Sequence, residues 1–448
     1  MNFNEFKALV IAACVDAGIT DYELYYQSGE STTVSAFQHE LNEFSSSVSG
    51  GVCFRCIVNG KMGYASTEAL NAEQARAVVA KAADNAAVLE SEEEVFLGEG
   101  GQEYEPLTRE EYPLPTTEAL IARVLETQEK LYAADESAVD GCQTEGIIQV
   151  AELAICNSRG LDIQWKGKTA GLVAVGVVSD GQDMSNDFQV KLGDLDKIDT
   201  DALAKKAVLG AKGKLGGEPA PTGQYPVIFD PEAMSNLLQV YSSVFSSEAA
   251  QKGLSQFASA EGEMVASGIV TLVDDPFHAE NPEPINFDAE GSPTHKKNVI
   301  EKGRLNTLLY NLKTAAVAGR KTTGNASKAG YDASVGIRPF TMYLENGDLT
   351  EEELLKKAGN GVYITSLSGL HAGANPISGD FSLQSEGFLI ENGVKTAHVK
   401  SFTVAGNFYT LLKNITALAD NCHLPMALGM TAFGAPSTLV EGLSVAGK

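Results

Sequence analysis

One histidine-glutamate pair, His39 and Glu40, is the first place where this sequence could carry metal chemistry. A zinc peptidase helix places a second histidine one turn after the first, so that both imidazoles face one metal while the glutamate activates water. One turn after this pair stand Glu43 and Phe44, in a polar segment. The pair is therefore predicted to lie at the surface or in a hairpin.

The other histidines are scattered, and none has a second histidine three to five residues away; they are His278, His295, His371, His398 and His423. Cys422 and His423 could together donate two metal ligands, and His371 belongs to a glycine-rich loop that could approach them. A lone histidine is more often a hydrogen-bonded structural residue than a ligand. The spacing of the histidines therefore argues against a metal site in this chain.

Cys53 and Cys56 have the spacing of a metal or redox pair. They lie in an apolar segment just before Asn59-Gly60, a dipeptide typical of hairpin turns, which predicts a strand. Side chains three residues apart in a strand point to opposite faces, so the two thiols could share neither a metal nor a disulfide without a bulge. We expect the cysteines to be reduced, buried small hydrophobes.

Missing sequence motifs and the net charge argue against several other classes of function. The sequence has no Gly-x-Ser-x-Gly elbow, no phosphate-binding loop and no dinucleotide fingerprint. Lysine and arginine number 33 against 59 acidic residues, a net charge of −26, so the average surface repels phosphate and direct nucleic-acid binding is not expected. The apolar N-terminal run follows Glu5 and ends at Asp16, which indicates a helix more than an export signal. We expect a cytoplasmic protein without a membrane span.

The elements that must position any site suggest an α+β fold in two domains, because 448 residues exceed what one core usually supports. In residues 1–217 the order helix, strands, helix occurs twice, over 1–88 and again over 116–217, on either side of an acidic stretch at 89–115. A tandem duplication or a chance alternation would each explain this order. The N-terminal domain is therefore predicted to be α+β, with or without an internal repeat.

A glycine- and proline-rich linker precedes the second predicted domain, residues 222–448. Turn dipeptides beginning at Lys302, Asn346 and Asn392 lie between apolar segments, which predicts a domain rich in antiparallel hairpins. Its clearest helix is predicted over 231–247, with Asp230 as its cap.

Three groups of segments in the second half match the TldD/PmbA family. They are 274–276 with 287–294 (Phe-Asp-Ala-Glu-Gly-Ser-Pro-Thr), 299–310 and 323–326; 373–382 with 386–393; and 433–437 with 440–447. On these segments the chain resembles the PmbA (TldE) branch of that family, cytosolic proteins described both as modulators of DNA gyrase and as metallopeptidase subunits. The match is strongest from residue 274 to residue 447 and weaker before the linker.

The resemblance implies a metallopeptidase in which the TldD branch carries His-Glu-x-x-x-His on a helix, with a later cysteine completing the metal shell. This chain has Gln239, Val240 and Val244 where those two histidines and the glutamate would stand. Without imidazoles there is no metal shell, and without the glutamate there is no general base. Cys422 alone would supply one ligand. The resemblance therefore implies a non-catalytic chain without a cofactor, with zinc only in a TldD-like partner.

The leading hypothesis is a subunit of a TldD/TldE-type complex in proteolysis or peptide-precursor processing, paired as a homo- or hetero-dimer and admitting an extended or unfolded peptide. Candidate groove residues are His371, Asp380, Ser382 and Glu290. For Asp380 and Ser382, ordinary turn hydrogen bonding beside glycine is favoured over ligand contact, and Glu290 has the same ambiguity.

Two alternatives belong to other classes of function. A module that modulates DNA gyrase by protein contact could use its acidic surface to imitate DNA. A stand-alone hydrolase could use an unfamiliar site around His371, Asp380, Ser382 and His423.

Overall fold

The computed structural model describes residues 1–90, 94–109, 111–425 and 431–448. The helices in these ranges are α1 Phe3–Ala17, α2 Ala72–Val88, α3 Thr117–Ala134, α4 Thr200–Gly213, α5 Pro231–Tyr241, α6 Ser247–Gln251, α7 Leu312–Val317, α8 Glu351–Ala358, α9 Leu370–Gly373 and α10 Phe408–Lys413. None of the described helices is both long enough and apolar enough to cross a membrane.

The strands pair mainly as antiparallel sheets and hairpins, so the predicted α+β class is confirmed. They are β1 Tyr22–Phe37, β2 Glu40–Val58, β3 Lys61–Thr67, β4 Gln143–Asn157, β5 Asp162–Ser179, β6 Met184–Leu192, β7 Gly223–Phe229, β8 Leu272–Asp274, β9 Lys297–Glu301, β10 Arg304–Leu305, β11 Ala326–Ser327, β12 Gly336–Ile337, β13 Thr341–Leu344, β14 Gly361–Ser368, β15 Asp380–Glu391, β16 Val394–Asn407, β17 Ile415–Leu418, β18 Ala432–Gly434 and β19 Thr438–Ala446.

The first half forms one six-stranded antiparallel sheet in the order β3-β2-β1-β4-β5-β6. Side chains alternate between the faces of a strand, so the buried Leu24 and Val34 of β1 share one face. Leu24 packs with side chains of α1 and α2, and Val34 packs with side chains of α3 and α4. Helices α1 to α4 therefore cover one face of this sheet.

The second half of the chain packs against the other face. Tyr25 of β1 and Cys53 of β2 belong to one buried cluster with Phe287. The indole N–H of Trp165 in β5 donates a hydrogen bond of 2.8 Å to the carbonyl of Pro284. The six-stranded sheet thus lies between helices α1 to α4 on one face and the second half of the chain on the other.

Cys53 and Cys56 lie on opposite faces of β2, as predicted. Cys53 packs towards the second half of the chain, whereas Cys56 packs with α1 and α2. All six cysteines lie within the described ranges and are free thiols, and only Cys422 is not fully buried.

Several turns lie where the local sequence predicted them. Gln38 and His39 have φ angles of 51° and 66° in the turn between β1 and β2, which confirms the hairpin position of the histidine. Asn59 and Gly60, with φ angles of 51° and 76°, join β2 to β3. Such positive φ angles are those that two-residue hairpin turns require.

Residues 22–26 and 32–37 alternate in the way that two separate short strands would, and the sequence predicts them as such, but β1 runs unbroken from Tyr22 to Phe37. The polar residues between the two segments pair with β2 on one side and with β4 on the other. Backbone hydrogen bonding to two neighbours carries the strand through a stretch that hydropathy treats as a loop.

The second half contains a six-stranded sheet in the order β16-β15-β14-β7-β19-β17 and a five-stranded sheet in the order β10-β9-β8-β13-β18. Predicted hairpins are confirmed at Lys302, with φ 48° between β9 and β10, and at Asn392, with φ 53° between β15 and β16. The sheets are mixed rather than wholly antiparallel, since β7 pairs in parallel with β14 and β13 with β18.

The hairpin predicted at Asn346-Gly347 was wrong. The side chain of Asn346 accepts a hydrogen bond of 2.7 Å from the backbone N–H of Cys422. The backbone N–H of Gly347 donates to the carbonyl of Ala419 at 2.8 Å. The dipeptide is therefore held by another part of the chain as it leads from β13 towards α8.

The predicted domain division at 217–222 and the tandem duplication stay predictions. Residues 91–93 and 110, within the acidic stretch at 89–115, lie outside the described residues.

Candidate functional site

Helix α5 carries two of the three positions, Gln239 and Val240, at which the resemblance implies metal ligands. Asp230 caps it by accepting a hydrogen bond of 2.7 Å from the backbone N–H of Ala233, and Pro231 takes the first helical position. Burial raises the pKa of Asp230 to about 8. At the other end, the ring of Tyr241 stacks on that of Phe408 with centroids 4.4 Å apart. Both ends of the helix are thus fixed.

The helix predicted over 231–247 is shorter than expected. The α-helix ends at Tyr241, a 3-10 turn follows over Ser242–Phe245, and α6 begins at Ser247. The hydroxyl of Ser242 donates to the carbonyl of Gln239 at 2.8 Å. Serine side chains compete in this way with helical backbone hydrogen bonds, which explains the break in a serine-rich stretch.

The three motif positions lie in different surroundings. Gln239 is exposed on α5, Val240 is half-buried against the core, and Val244 is buried in the 3-10 turn. Zinc in proteins is bound by cysteine, histidine, aspartate or glutamate, so an amide and two hydrocarbon side chains do not fit the ion. Across the described ranges, no three such ligand side chains are grouped so that they could hold a metal. The side chains at the motif positions therefore support no catalytic step through a metal.

Two cavities adjoin α6. The larger, of about 580 Å³, reaches Arg55 of β2 and Lys61 of β3. The smaller, of about 400 Å³, is lined by Ser243, which stands one helical turn after Gln239. Both cavities are lined by Glu248, Lys252 and Ser334. We call the two together the α6 trough; its volume is within the range of ligand-binding pockets.

The charges of the larger cavity are nearly balanced in a chain whose net charge is −26. Its cationic lining residues are Arg55, Lys61, Lys252 and Lys313, and its acidic ones are Glu94, Glu248 and Glu290. A peptide presents both signs of charge at its ends and side chains, so a mixed lining suits it better than a uniformly acidic surface would.

Glu290 is a buried carboxyl group in the wall of the trough. Its Oε2 accepts a hydrogen bond of 2.8 Å from the backbone N–H of Leu312. Burial raises the pKa of Glu290, the neighbouring Asp288 raises it further, and Arg55 opposes the rise. A carboxyl group that stays protonated to higher pH can donate a hydrogen bond to a carbonyl oxygen.

Arg55 is held at the base of the trough by Glu23 on the adjacent strand. The Nε of Arg55 donates to Oε1 of Glu23 at 2.8 Å, and both side chains are buried. The two residues stand directly opposite each other in the register of β1 and β2. A charged residue inside each of two otherwise apolar strand segments is the sequence signal that could have found this pair.

Two aspartates in the family-matching segments act on the structure around them. Asp288 accepts hydrogen bonds of 2.9 Å from the backbone N–H groups of Glu290, Ser292 and Ala326. Asp274 accepts from the Lys297 ammonium at 3.1 Å. These segments therefore carry structural carboxylates.

Of the four predicted groove residues, the structure brings only Glu290 to the trough. His371 is exposed on α9, and Asp380 and Ser382 are exposed at the start of β15, away from both cavities. Asp380 accepts a hydrogen bond of 2.9 Å from the side-chain amide of Asn407, which lowers its pKa. These are the contacts of a turn residue.

Sequence reasoning missed the other residues of the trough, above all Lys61, Glu248 and Lys252. They come from β3, from α6 and from the residue that follows α6, so Lys61 is nearly two hundred positions away from the other two in the sequence. No spacing pattern joins such residues before the fold is known. His423, which the hydrolase alternative used, is exposed and pairs its backbone with Ala435.

Comparison with known proteins decides the family. The family model described as the PmbA/TldA metallopeptidase C-terminal domain matches residues 222–447, and the model described as domain 1 matches residues 22–86. The chain belongs to the PmbA/TldA metallopeptidase family. This is the TldD/PmbA family that the segments of the second half indicated.

Curated relatives match the chain over different lengths. A curated relative named metalloprotease, from Methanothermobacter thermautotrophicus, is 26% identical over 412 residues, which are 89% of this chain and 88% of that one. With several other curated relatives of the PmbA/TldA family, the match spans only about half the length of each.

Solved structures of similar proteins share this fold. A protein from Thermotoga maritima, described as a proposed modulator of a DNA gyrase, has a TM-score of 0.89 and 30% identity, covering 99% of this chain and 100% of that one. TldE from Thermococcus kodakarensis has a TM-score of 0.85 and 25% identity, covering 98% and 99%.

Proposed function

We propose that this chain is a PmbA/TldE-like, non-catalytic subunit of a metallopeptidase complex that acts in proteolysis or peptide-precursor processing. Its partner is a TldD-like subunit that carries His-Glu-x-x-x-His and binds the zinc ion. Hydrolysis occurs in that partner, while this chain shapes the space through which a substrate peptide passes.

The observation that carries the proposal is which side chains occupy the three motif positions. Gln239, Val240 and Val244 provide neither imidazole nor carboxylate, and Val244 is part of the buried core. A metal-bound water needs both a ligand shell and a general base beside it. Helix α5 itself is present, with Asp230 capping its start and Tyr241 stacked on Phe408 at its end.

The α6 trough supports a role in substrate binding. It begins beside the end of α5, at Ser243, and continues to the buried Glu290 and Arg55. Its mixed charges suit the ends and side chains of an extended peptide. The peptide is the substrate class that the metallopeptidase family implies.

Reconstitution with a TldD-like chain from the same organism tests the subunit role. Each chain is purified alone and the two are then combined, and zinc content and cleavage of unfolded casein are measured. We expect zinc and cleavage only in samples that contain the partner, with cleavage increased by this chain. Cleavage by the partner that is unaffected by this chain, together with failure of the two to co-purify, would overturn the proposal.

A substitution in the trough tests substrate binding separately. Ser243→Trp places a large ring in the smaller cavity, and we expect a decrease of about tenfold or more in kcat/KM of the complex, about 1.4 kcal/mol or more, with unchanged zinc content. Ser368→Trp, at an exposed position of β14 outside the trough, is the matched control. Equal activity of the two variants would show that the trough does not take substrate.

A further inference from the structure

Three buried side chains in the wall of the larger cavity of the α6 trough have polar groups that the protein itself does not use. They are Arg55 of β2, Glu290, and Asn311, which caps α7. Their exposed fractions are 7%, 3% and 4%. Buried polar groups are normally hydrogen-bonded, so unused groups at such positions point to a ligand.

The side-chain amide of Asn311 has a donor group without a partner. Its Oδ1 accepts hydrogen bonds from the backbone N–H of Thr314 at 2.9 Å and from the hydroxyl of Thr314 at 2.8 Å. Its Nδ2 makes no hydrogen bond to any described residue, and it is not among the unpaired atoms that are shielded from solvent. The N–H groups of this amide are therefore available to a molecule in the cavity.

Glu290 supplies a second donor. Its Oε2 accepts the backbone N–H of Leu312 at 2.8 Å, whereas its Oε1 has no hydrogen-bond partner among the described residues. Burial, and after it the neighbouring Asp288, raises the pKa of Glu290. Because Oε2 already accepts an N–H group, the proton belongs on Oε1. The protonated carboxyl group then donates an O–H into the cavity.

The guanidinium of Arg55 is only partly occupied by its contact with Glu23. Its Nε donates to Oε1 of Glu23 at 2.8 Å. Its Nη1 makes no hydrogen bond to any described residue and, unlike Nη2, is not shielded from solvent. A guanidinium has five N–H donors in a planar fork, more than one carboxylate oxygen can accept. Arg55 therefore keeps donors for a second acceptor.

The three groups together offer donors and no free acceptor. An ammonium group also has only donors, so it finds no partner among them. A backbone carbonyl accepts through one oxygen, whereas a carboxylate accepts through two and matches a guanidinium with neutral donors beside it. The nearest acidic groups are already occupied, Glu23 by Arg55 and Asp288 by three backbone N–H groups. Of the two ends of a peptide, only the carboxyl end fits.

The charges around these groups also allow a carboxylate to bind. Glu290 faces Arg55 of β2 and Glu23 of β1, whose charges balance, and Asp288 in its own segment adds one negative charge. The other charged residues that line the cavity come from β3, α6, α7 and the segment after α2; they are Lys61, Lys252, Lys313, Glu94 and Glu248. The cavity as a whole is near neutral in a chain of net charge −26. An anion therefore meets less repulsion here than over the average surface.

We propose that the larger cavity of the α6 trough binds the C-terminal carboxylate of a peptide, held by Arg55, Glu290 and Asn311. The inference rests on the proposed function and deepens it, because it gives the bound peptide a direction. The carboxyl end lies in the larger cavity, and the chain leads from there towards Ser243 and the end of α5.

Binding of short peptides to the isolated full-length chain tests the ligand. One neutral sequence with a neutral dye at its amino end is made with a free carboxylate, with a C-terminal amide, and as an amide whose last residue is glutamate. Fluorescence anisotropy gives the Kd of each peptide. We expect the free acid to bind about tenfold or more tighter than both amides, because charge-assisted hydrogen bonds are the strong ones.

Two results would contradict this expectation. Equal Kd values for the free acid and the plain amide, or no binding of the free acid, would overturn the proposal. Binding of the glutamate amide as tight as that of the free acid would overturn the assignment to the end of the peptide, because a side-chain carboxylate would then serve equally well.

Asn311→Asp tests the amide donor without removing the helix cap. Aspartate caps a helix as well as asparagine does, but it replaces Nδ2 by an oxygen that repels a carboxylate. We expect the Kd of the free acid to rise about tenfold or more. Asn71→Asp is the matched control, since Asn71 caps α2 by accepting the backbone N–H of Gln74 at 2.9 Å and is exposed outside the trough. Equal Kd values for the two variants would overturn the role of Asn311.

Glu290→Gln tests the carboxyl donor through its dependence on pH. Because the pKa of Glu290 is raised, the parent chain keeps the O–H donor at low pH and loses it as pH rises. The Kd of the free acid for the parent chain should therefore rise between pH 6 and pH 9. Glutamine keeps an acceptor for Leu312 and donates at every pH, so the Kd of the variant should stay constant. The same pH dependence in both chains would overturn the role of Glu290.

These measurements need neither a partner subunit nor hydrolysis, so they separate this inference from the subunit role. A chain that increases cleavage by a TldD-like partner but binds the free acid and the amide equally would overturn only the carboxylate site. A chain that prefers the free acid but neither co-purifies with the partner nor affects its cleavage would overturn only the subunit role.

Discussion

Two regions of the molecule differ in the side chains that they place where chemistry could occur. One is the end of α5, and the other is the contact between the two halves of the chain, where carboxylates are buried. At the end of α5 and in the 3-10 turn after it, where the resemblance implies metal ligands, stand Gln239, Val240 and Val244. At the contact, Asp288 is buried and accepts hydrogen bonds from three backbone N–H groups. A carboxylate whose oxygens are occupied in this way orders the backbone and is not available to activate water. Asp288 is therefore a structural carboxylate.

Asp274 shows the same use of a carboxylate in greater detail. Its Oδ2 accepts from the ammonium of Lys297 at 3.1 Å and from the amide of Asn325 at 2.7 Å. Its Oδ1 accepts from the backbone N–H of Phe340 at 2.7 Å. One side chain thus links β8, β9 and the segments around β11 and β13.

The largest predicted effect comes from removing that carboxylate. Asp274→Ala leaves the buried Lys297 without its partner, and we expect the free energy of unfolding to fall by about 3–5 kcal/mol. Urea unfolding followed by circular dichroism measures the change. Asp348→Ala, at an exposed acidic residue, should change it by no more than about 0.5 kcal/mol. A loss below about 1 kcal/mol for Asp274→Ala would remove the contrast between the two regions.

Substitutions at two of the motif positions should affect stability as a core residue and a surface residue do. Val244→Ala removes two buried methyl groups and should lower the free energy of unfolding by about 2 kcal/mol. Gln239→Ala, at an exposed position five residues earlier, should change it by no more than about 0.5 kcal/mol. The same unfolding experiment measures both variants. A large effect of Gln239→Ala on stability, or zinc that binds the parent chain and is lost in either variant, would contradict a purely structural role for these two residues.

A smaller effect is expected at the start of α5. Asp230→Ala removes the helix cap and should cost about 1 kcal/mol, whereas Asp230→Asn keeps a capping side chain. The folded state raises the pKa of Asp230 to about 8, so the folded chain holds a proton that the unfolded chain releases near its usual pKa of about 4. Stability from this group is therefore lost as pH rises between these values. The advantage of Asp230→Asn over the parent should grow between pH 5 and pH 8; a constant difference would refute it.

The sequence predicted the parts of the fold that local chemistry determines. The start of α5 followed from an aspartate and a proline in the right order, and the turn at Asn59-Gly60 followed from its φ requirement. The end of α5 was missed, because hydropathy continues through 242–245 while the serine side chains compete for the backbone. Pairing on both sides likewise carried β1 through its polar middle.

The candidate site was predictable only in part. The motif positions could be found by family resemblance, because all three lie within six consecutive residues, 239–244. The α6 trough was not predictable, because it combines β2, β3, α6 and α7, and only Glu290 had been singled out. His371, Asp380 and Ser382 were selected from glycine-rich turns, and a turn places polar side chains at the surface whether or not a ligand binds there.

The most direct test of the account is the zinc content and peptidase activity of this chain alone. The purified full-length chain is saturated with zinc, dialysed and measured for bound metal, and it is then incubated with unfolded casein. The account predicts no retained zinc and no cleavage above buffer, since Gln239, Val240 and Val244 supply no ligand and no base. One zinc ion per chain together with cleavage would contradict it.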